Sequence, residues 1–185
     1  MRKYDAVFFD LDGTLSESGE GILWCVRSTI EDLKIVVPEN FRLESFIGPP
    51  LADSFYRLGL DDEKVKLGVK TYKSYYDTKG KYMNKAYDGI KELLERLREK
   101  GYKLGVATSK YELFARQIID NIGLLQYFDF VSGATANAER QKKIDVLNYG
   151  IKNLGATPEN SALIGDTKFD AEGARLCGCG FVGVF

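Results

Sequence analysis

The sequence of 185 residues contains no histidine. This absence excludes histidine metal ligands, Ser-His-Asp and Cys-His catalysis, and phosphohistidine intermediates, which leaves carboxylate, lysine and hydroxyl chemistry. Cysteine is scarce as well, because the chain has only Cys25, Cys177 and Cys179. Their number and spacing fit neither a disulfide framework nor a zinc site, so we expect small buried residues in a reducing compartment.

Long apolar runs are also lacking, since no stretch approaches the ~18 apolar residues of a membrane helix. We expect no cleaved leader at the N-terminus. The 26 Lys and Arg residues nearly balance the 27 Asp and Glu residues, so we expect no nucleic-acid partner and no membrane partner. These properties predict a cytoplasmic globular protein whose length suffices for a core domain with a smaller insertion. They leave its oligomeric state open.

Two aspartates follow the first apolar segment of the chain. Residues 6–9 predict a buried strand, and Asp10 and Asp12 come directly after it. α/β proteins place their chemistry at the carboxyl ends of such strands, where one carboxylate can attack an electrophile while the other handles a proton. We expect Gly13 to let backbone N–H groups approach a ligand and Thr14 to orient Asp10. The alternative is a strand that ends in a solvated Asx turn.

The apolar periodicity divides the chain into two kinds of sequence. Between residues 16 and 85 it predicts only helices, and Gly48-Pro49-Pro50 ends one of them. From Asp88, a predicted helix N-cap, helices and strands alternate. The predicted strands are 104–107, 128–131, 162–164 and 181–185, and the helices between them are 111–121, 143–154 and 169–176. We infer an α/β protein with a Rossmann-like parallel sheet core (1–15 and 86–185) and an all-helical cap (16–85) that could close over the Asp10 site.

Two further polar clusters follow predicted core strands. Thr108 and Ser109 come after 104–107, where a hydroxyl can donate to a phosphoryl oxygen and a helix N-terminus adds N–H donors. Asp166 follows 162–164 much as Asp10 follows its own strand, so these two carboxylates could share a hard cation. Alone, the first cluster could simply cap a helix and the second could be a turn.

A lysine pair, Lys142 and Lys143, begins a predicted helix. Lysines at a helix N-terminus oppose the helix macrodipole, so one of them is expected to face a nearby negative charge. A solvated surface lysine is the competing interpretation, chiefly for Lys142. Lys143 is therefore the preferred candidate.

The order of these features resembles the haloacid dehalogenase superfamily: DxDGT, a hydroxyl after the next core strand, a lysine, then GDxxxD. The resemblance spans the whole chain, and the helical insertion resembles the C1 cap of that superfamily. Segments 46–51 and 164–170 resemble its phosphoglycolate phosphatase branch and nucleotidase-like relatives. The resemblance implies a Mg²⁺-dependent phosphatase that forms an aspartyl-phosphate and acts on a small phosphomonoester such as 2-phosphoglycolate or a 5′-nucleotide.

The resemblance also implies roles for individual residues. Asp10 would be the nucleophile and Asp12 the acid/base. The implied catalytic residues are Asp10, Asp12, Thr108 and Lys143. The implied substrate-binding residues are Thr108, Ser109, Lys143 and Gly48, with backbone N–H groups around Leu11 and Asp12. The implied Mg²⁺ site consists of Asp10, the main-chain carbonyl of Asp12, and Asp166, with Asp170 in support.

Two other functions remain open at this point. A phosphomutase similar to β-phosphoglucomutase would use the same residues, so its products rather than its motifs would identify it. A catalytically silent binding protein could retain the fold without the chemistry. The GxGxxG match at 178–183 leads into a strand rather than a helix, so it does not predict a dinucleotide site.

Overall fold

The computed structural model describes residues 3–47, 49–136 and 139–184. Gly48, a predicted substrate-binding residue, lies outside the described residues. The chain divides into two compact units, one comprising Met1–Glu17 with Lys85–Phe185 and the other comprising Ser18–Asn84. The first unit contains all the predicted active-site residues except Gly48.

The helices and strands are as follows in chain order. They are β1 (Ala6–Phe9), β2 (Ser16–Glu17), α1 (Gly19–Asp32), α2 (Leu51–Arg57), α3 (Asp62–Thr78), β3 (Lys85–Ala86), α4 (Ile90–Glu99), β4 (Lys103–Tyr111), α5 (Glu112–Asn121), β5 (Phe130–Ala134), α6 (Lys143–Asn153), β6 (Ser161–Gly165), α7 (Lys168–Cys177) and β7 (Gly180–Gly183). Short 3₁₀ turns cover Leu43–Phe46, Gly80–Tyr82, Leu125–Tyr127 and Pro158–Asn160.

The larger unit is built on a five-stranded sheet in the order β5-β4-β1-β6-β7. All its strand pairs are parallel, and β1 lies at the centre. This confirms the predicted α/β fold with a parallel sheet. Strands β2 and β3 form a separate antiparallel pair at the ends of this unit's two segments.

The centre of the sheet is buried, and its central strand carries apolar side chains on both faces. Phe8 packs with Leu147 of α6 and Leu163 of β6 in one core cluster. Phe9, the next residue, points to the opposite face, as successive strand residues do, and meets Phe128 edge-on at 6.1 Å between ring centroids. Because helices cover both faces of such a strand, polar side chains can lie at its carboxyl end.

Several local predictions in this unit are wrong. Residues 16, 17 and 85, which belong to the segment predicted to be only helical, lie in β2 and β3. The N-cap of α4 is Gly89 rather than Asp88, and Gly89 has a φ of +80°, which glycine adopts without a Cβ penalty. Strand β4 extends to Tyr111 rather than ending at residue 107, and its pairing with β5 shifts register between Ala107 and Tyr111. Because of this shift, the residues after Ala107 do not occupy the positions that they would have in a regular strand.

The smaller unit, Ser18–Asn84, is helical in its described part. Its core contains Val26, Phe46, Phe55, Leu58 and Val65. Helix α2 was not predicted, because Gly48-Pro49-Pro50 was interpreted only as a stop, although Pro50 is the N-cap of α2. Phe46 packs inside this unit against Phe55, with ring centroids 5.2 Å apart. Across the described ranges, no helix is long and apolar enough to traverse a bilayer.

Candidate active site

The sheet places three polar side chains at neighbouring strand ends. Asp10 follows β1, Asp166 follows β6, and Thr108 lies in the last part of β4. The Asp10 amide donates to the Ile164 carbonyl at 2.9 Å, which ties the end of β1 to β6. Parallel pairing therefore brings residues far apart in sequence to one edge of the sheet.

Lys143 is the lysine that reaches this edge. Its Nζ lies 2.7 Å from Asp10 Oδ1 and 2.7 Å from Asp170 Oδ1, and it donates to the Ala107 carbonyl at 2.9 Å. Lys142 is the exposed N-cap of α6, and its amide donates to Asp145 of the same helix. Of the two candidate lysines, only Lys143 is buried with the carboxylates.

Burial and neighbouring charges determine the protonation states of Asp10 and Lys143. Burial raises the pKa of Asp10 to about 6, although the nearby Lys143 ammonium lowers it and the Asp170 charge raises it further. Burial alone would lower the pKa of Lys143, but the charges of Asp10 and Asp170 outweigh it and the net pKa is raised. At neutral pH the carboxylate and the ammonium are therefore both charged.

Asp10, Asp166 and Asp170 form an acidic cluster. Each offers a carboxylate oxygen, and these three oxygens lie within 4.8 Å of one another. Asp166 is exposed, and its Oδ1 accepts from the Thr14 hydroxyl at 2.9 Å. Thr14 was expected to orient Asp10, so that prediction is wrong. Carboxylate oxygens on a partly open rim are the donor set that Mg²⁺ prefers.

Asp170 differs from the other two aspartates of the cluster in its burial and its contacts. It is fully buried, its Oδ1 contacts Lys143, and its Oδ2 accepts from the Thr167 amide at 2.9 Å and from the Thr167 hydroxyl at 2.6 Å. Both of its oxygens are therefore engaged by the protein. This fits a residue that holds Lys143 and the loop after β6 in place, and it leaves Asp10 and Asp166 as carboxylates that could hold a cation.

Gly13 makes room for Asp166. Its φ is +83°, and a Cβ built on it would lie 2.3 Å from Asp166 Oδ2. A side chain here would therefore both strain the backbone and displace the carboxylate. The Asp166 carboxylate, a group suited to binding a cation, occupies the space that Gly13 leaves.

Gly13→Ala should weaken both the fold and cation binding. The positive φ alone should lower the free energy of unfolding by ~1 to 2 kcal/mol, and displacement of Asp166 should add a loss of Mg²⁺ affinity. Gly89→Ala is the matched control, because Gly89 has a φ of +80° and nothing within 4 Å of its built Cβ. Urea unfolding and Mg²⁺ titration calorimetry would measure both effects. Equal Mg²⁺ affinity in the two variants would contradict the role given to Gly13.

Asp12 lies beside a second lysine. The Nζ of Lys110 is 2.9 Å from Asp12 Oδ2. Asp12 Oδ1 is buried and has no hydrogen-bond partner among the residues that the structure describes. Sequence reasoning gave Lys110 no role, because the irregular pairing at the end of β4 cannot be deduced from apolar periodicity.

Hydrogen-bond donors are also available at this edge. Thr108 is buried, and its hydroxyl oxygen accepts from the Lys110 amide at 3.3 Å. Within the described ranges, the amides of Leu11 and Asp12 donate no backbone hydrogen bond. Ser109 is exposed and lines a groove of about 420 Å³ with residues of α6 and α7. A hydroxyl and two amides next to a lysine are suited to binding an anion.

Comparison with known proteins identifies the family. The profile of haloacid dehalogenase-like hydrolases matches residues 7–184. The chain belongs to this family. It is 36% identical over 183 residues to a 5′-nucleotidase of Pseudomonas aeruginosa, covering 98% of this chain and 83% of that protein. It is 37% identical over 172 residues to the tyrosine-protein kinase PtkA of Mycobacterium tuberculosis, covering 93% of this chain but only 59% of the kinase.

A solved structure supports the same assignment. A haloacid dehalogenase-like family hydrolase from Streptococcus pneumoniae superimposes with a TM-score of 0.89 at 34% identity, and the match covers 100% of this chain and 86% of that one. The predicted resemblance to the haloacid dehalogenase superfamily is therefore confirmed.

Proposed function

We propose that this haloacid dehalogenase-like protein is a metal-dependent phosphatase that hydrolyses a small phosphomonoester. The observation that carries the proposal is the buried Asp10, ionised at neutral pH and held 2.7 Å from Lys143 at the end of the central strand. The relative named 5′-nucleotidase and a phosphoglycolate phosphatase of Aquifex aeolicus, which is 29% identical over 174 residues, support the reaction class. They also make 5′-nucleotides and 2-phosphoglycolate the first substrates to test.

Asp10 and Asp12 would share the chemical steps. Asp10 Oδ attacks phosphorus, the bond from phosphorus to the ester oxygen breaks, and the phosphoryl group becomes an aspartyl-phosphate on Asp10. Asp12 gives its proton to the departing ester oxygen. Asp12 then takes a proton from the water that attacks phosphorus, which releases phosphate and restores the Asp10 carboxylate.

The remaining residues would bind and neutralise the phosphoryl group. The Thr108 hydroxyl and the amides of Leu11 and Asp12 can donate to its oxygens, and Lys143 offsets the negative charge between Asp10 and the phosphate. Phosphoryl transfer depends mainly on positioning and charge neutralisation. Preorganised donors and a buried lysine supply both.

Asp10, Asp166 and the main-chain carbonyl of Asp12 would hold a Mg²⁺ ion. The acidic cluster fits such an ion, Gly13 leaves room for the Asp166 carboxylate, and Asp170 would support the site by holding Lys143. When bound, the ion supplies Lewis-acid charge neutralisation at the phosphoryl oxygens. The free thiols of Cys25, Cys177 and Cys179 support the cytoplasm as the location of this activity.

Removal of the metal should abolish the activity. Phosphate release from 5′-nucleotides, 2-phosphoglycolate and sugar phosphates should require Mg²⁺ and stop in EDTA. Mg²⁺ at about 100 times its dissociation constant should also stabilise the fold by ~3 kcal/mol. Phosphate release that persists in EDTA would contradict the metal site. Isomerisation of β-glucose 1-phosphate without phosphate release would indicate a phosphomutase instead.

A further inference from the structure

The candidate site contains two lysines that serve different carboxylates. Lys143 contacts Asp10 and Asp170, whereas Lys110 contacts Asp12. The Lys110 side chain is only 14% exposed, so its charge is less screened than that of a surface lysine. The proposed mechanism uses Lys143 but gives Lys110 no task.

The position of Lys110 follows from the end of β4. The strand continues past Ala107 to Tyr111 with a register shift, and this irregular segment carries Thr108 and Lys110. The Lys110 amide donates to the Thr108 hydroxyl oxygen at 3.3 Å while its ammonium lies 2.9 Å from Asp12 Oδ2. One short segment therefore presents a phosphate-binding hydroxyl and a cation to the same site.

The two lysines should face opposite sides of the phosphorus atom. Asp10 attacks phosphorus from one side, and the leaving oxygen departs on the other in an in-line displacement. Asp12 must reach the leaving oxygen to protonate it, so it lies on the side of the leaving group. A lysine in contact with the Asp12 carboxylate lies on that side too. It is therefore next to the leaving-group atoms that are bonded to the ester oxygen.

We propose that Lys110 is a specificity-determining residue that selects substrates whose leaving group carries an anion close to the ester oxygen. This inference rests on the proposed phosphatase function. The ammonium group has three rotatable donors and no acceptor, so contact with Asp12 is compatible with contact to a substrate oxygen. A carboxylate or second phosphate a few bonds from the ester oxygen is the chemistry that such a cation recognises.

The test compares two nearly isosteric esters, 2-phosphoglycolate and 2-hydroxyethyl phosphate, whose leaving groups differ in charge. The wild-type protein with Mg²⁺ should prefer the carboxylate ester. Lys110→Met should lower kcat/KM for 2-phosphoglycolate by about 10- to 100-fold, the range expected for loss of a charge-assisted contact. The value for 2-hydroxyethyl phosphate should change only a few-fold. Lys110→Arg should retain most of the preference, and Lys152→Met, an exposed lysine on α6, should leave both values unchanged.

The outcomes separate this inference from the function on which it rests. Equal losses on both esters in Lys110→Met would overturn it, because Lys110 would then act only by positioning Asp12. A wild-type protein with no preference for the carboxylate ester would also overturn it. A wild-type protein that hydrolyses neither of these esters nor any other phosphomonoester would overturn the proposed function and this inference together.

Discussion

Asp10→Asn is expected to lower phosphatase turnover by roughly 10⁴-fold or more, because it removes the atom that attacks phosphorus. The carboxamide keeps the size of the side chain but is a poor nucleophile. The Asp10 side chain is buried in contact with Lys143 and belongs to the acidic cluster. Phosphate release measured with Mg²⁺ on the best substrate of the wild-type protein would test this.

The control for this variant is Asp120→Asn, which alters an exposed aspartate on α5. It should retain wild-type turnover. Substantial turnover in Asp10→Asn would disprove the assignment of the nucleophile. A similar loss in both variants would point to a general effect on the protein rather than to chemistry at Asp10.

Loss of folding does not explain the expected result. The folded-state pKa of Asp10 is raised from 3.8 to about 6, so the folded state binds more protons than the unfolded state between these values. The free energy of unfolding therefore falls as pH rises through this window and levels off above about pH 6. Asn cannot ionise, and Lys143 keeps Asp170 as a partner, so above about pH 6 the metal-free variant should be at least as stable as wild type. Urea unfolding in EDTA would measure the difference.

Lys143→Met should impair both activity and stability. The methionine leaves Asp10 and Asp170 buried without their shared cation, and breaking a buried ion pair in this way costs about 3 to 5 kcal/mol. The folded-state pKa of Asp10, already raised, should rise further. The stability deficit relative to wild type should therefore be larger at about pH 8 than at about pH 5, where Asp10 takes up a proton.

Lys142→Met is the matched control for this prediction. Lys142 is adjacent in sequence but exposed at the N-cap of α6, so its replacement should change stability and turnover little. Urea unfolding at both pH values, with phosphate release at the higher one, would measure the effects. A pH-independent deficit in Lys143→Met would contradict the ion pair, and a larger loss in Lys142→Met would reverse the choice between the two lysines.

The sequence predicted the architecture of the larger unit because its signals are local and repeated. Apolar runs followed by polar residues located β1 and β6 to within one residue, and helix periodicity located α6 and α7. Parallel pairing then follows from the alternation of helices and strands. Once the sheet exists, the strand ends bring Asp10 and Asp166 to the same edge without further information.

The features that sequence reasoning missed depend on spatial contacts. The Thr14 hydroxyl donates to Asp166, which is 152 residues away in sequence, and no periodicity indicates which acceptor a hydroxyl chooses. Lys110 reaches Asp12 only because β4 changes register near its end. Gly89 rather than Asp88 is the N-cap of α4. A glycine with a positive φ takes the position at which a residue with a capping side chain is usual.

The most direct test of the central claim is to trap the phosphoryl group on the protein. Asp12→Asn, which lacks the group that activates water, should be mixed with 4-nitrophenyl phosphate, whose leaving group needs little protonation. We predict a burst of one equivalent of 4-nitrophenolate, followed by acid quenching and peptide mass spectrometry that place one phosphoryl group on Asp10. A phosphoryl group on another residue, or turnover with no burst and no modified Asp10, would contradict the account.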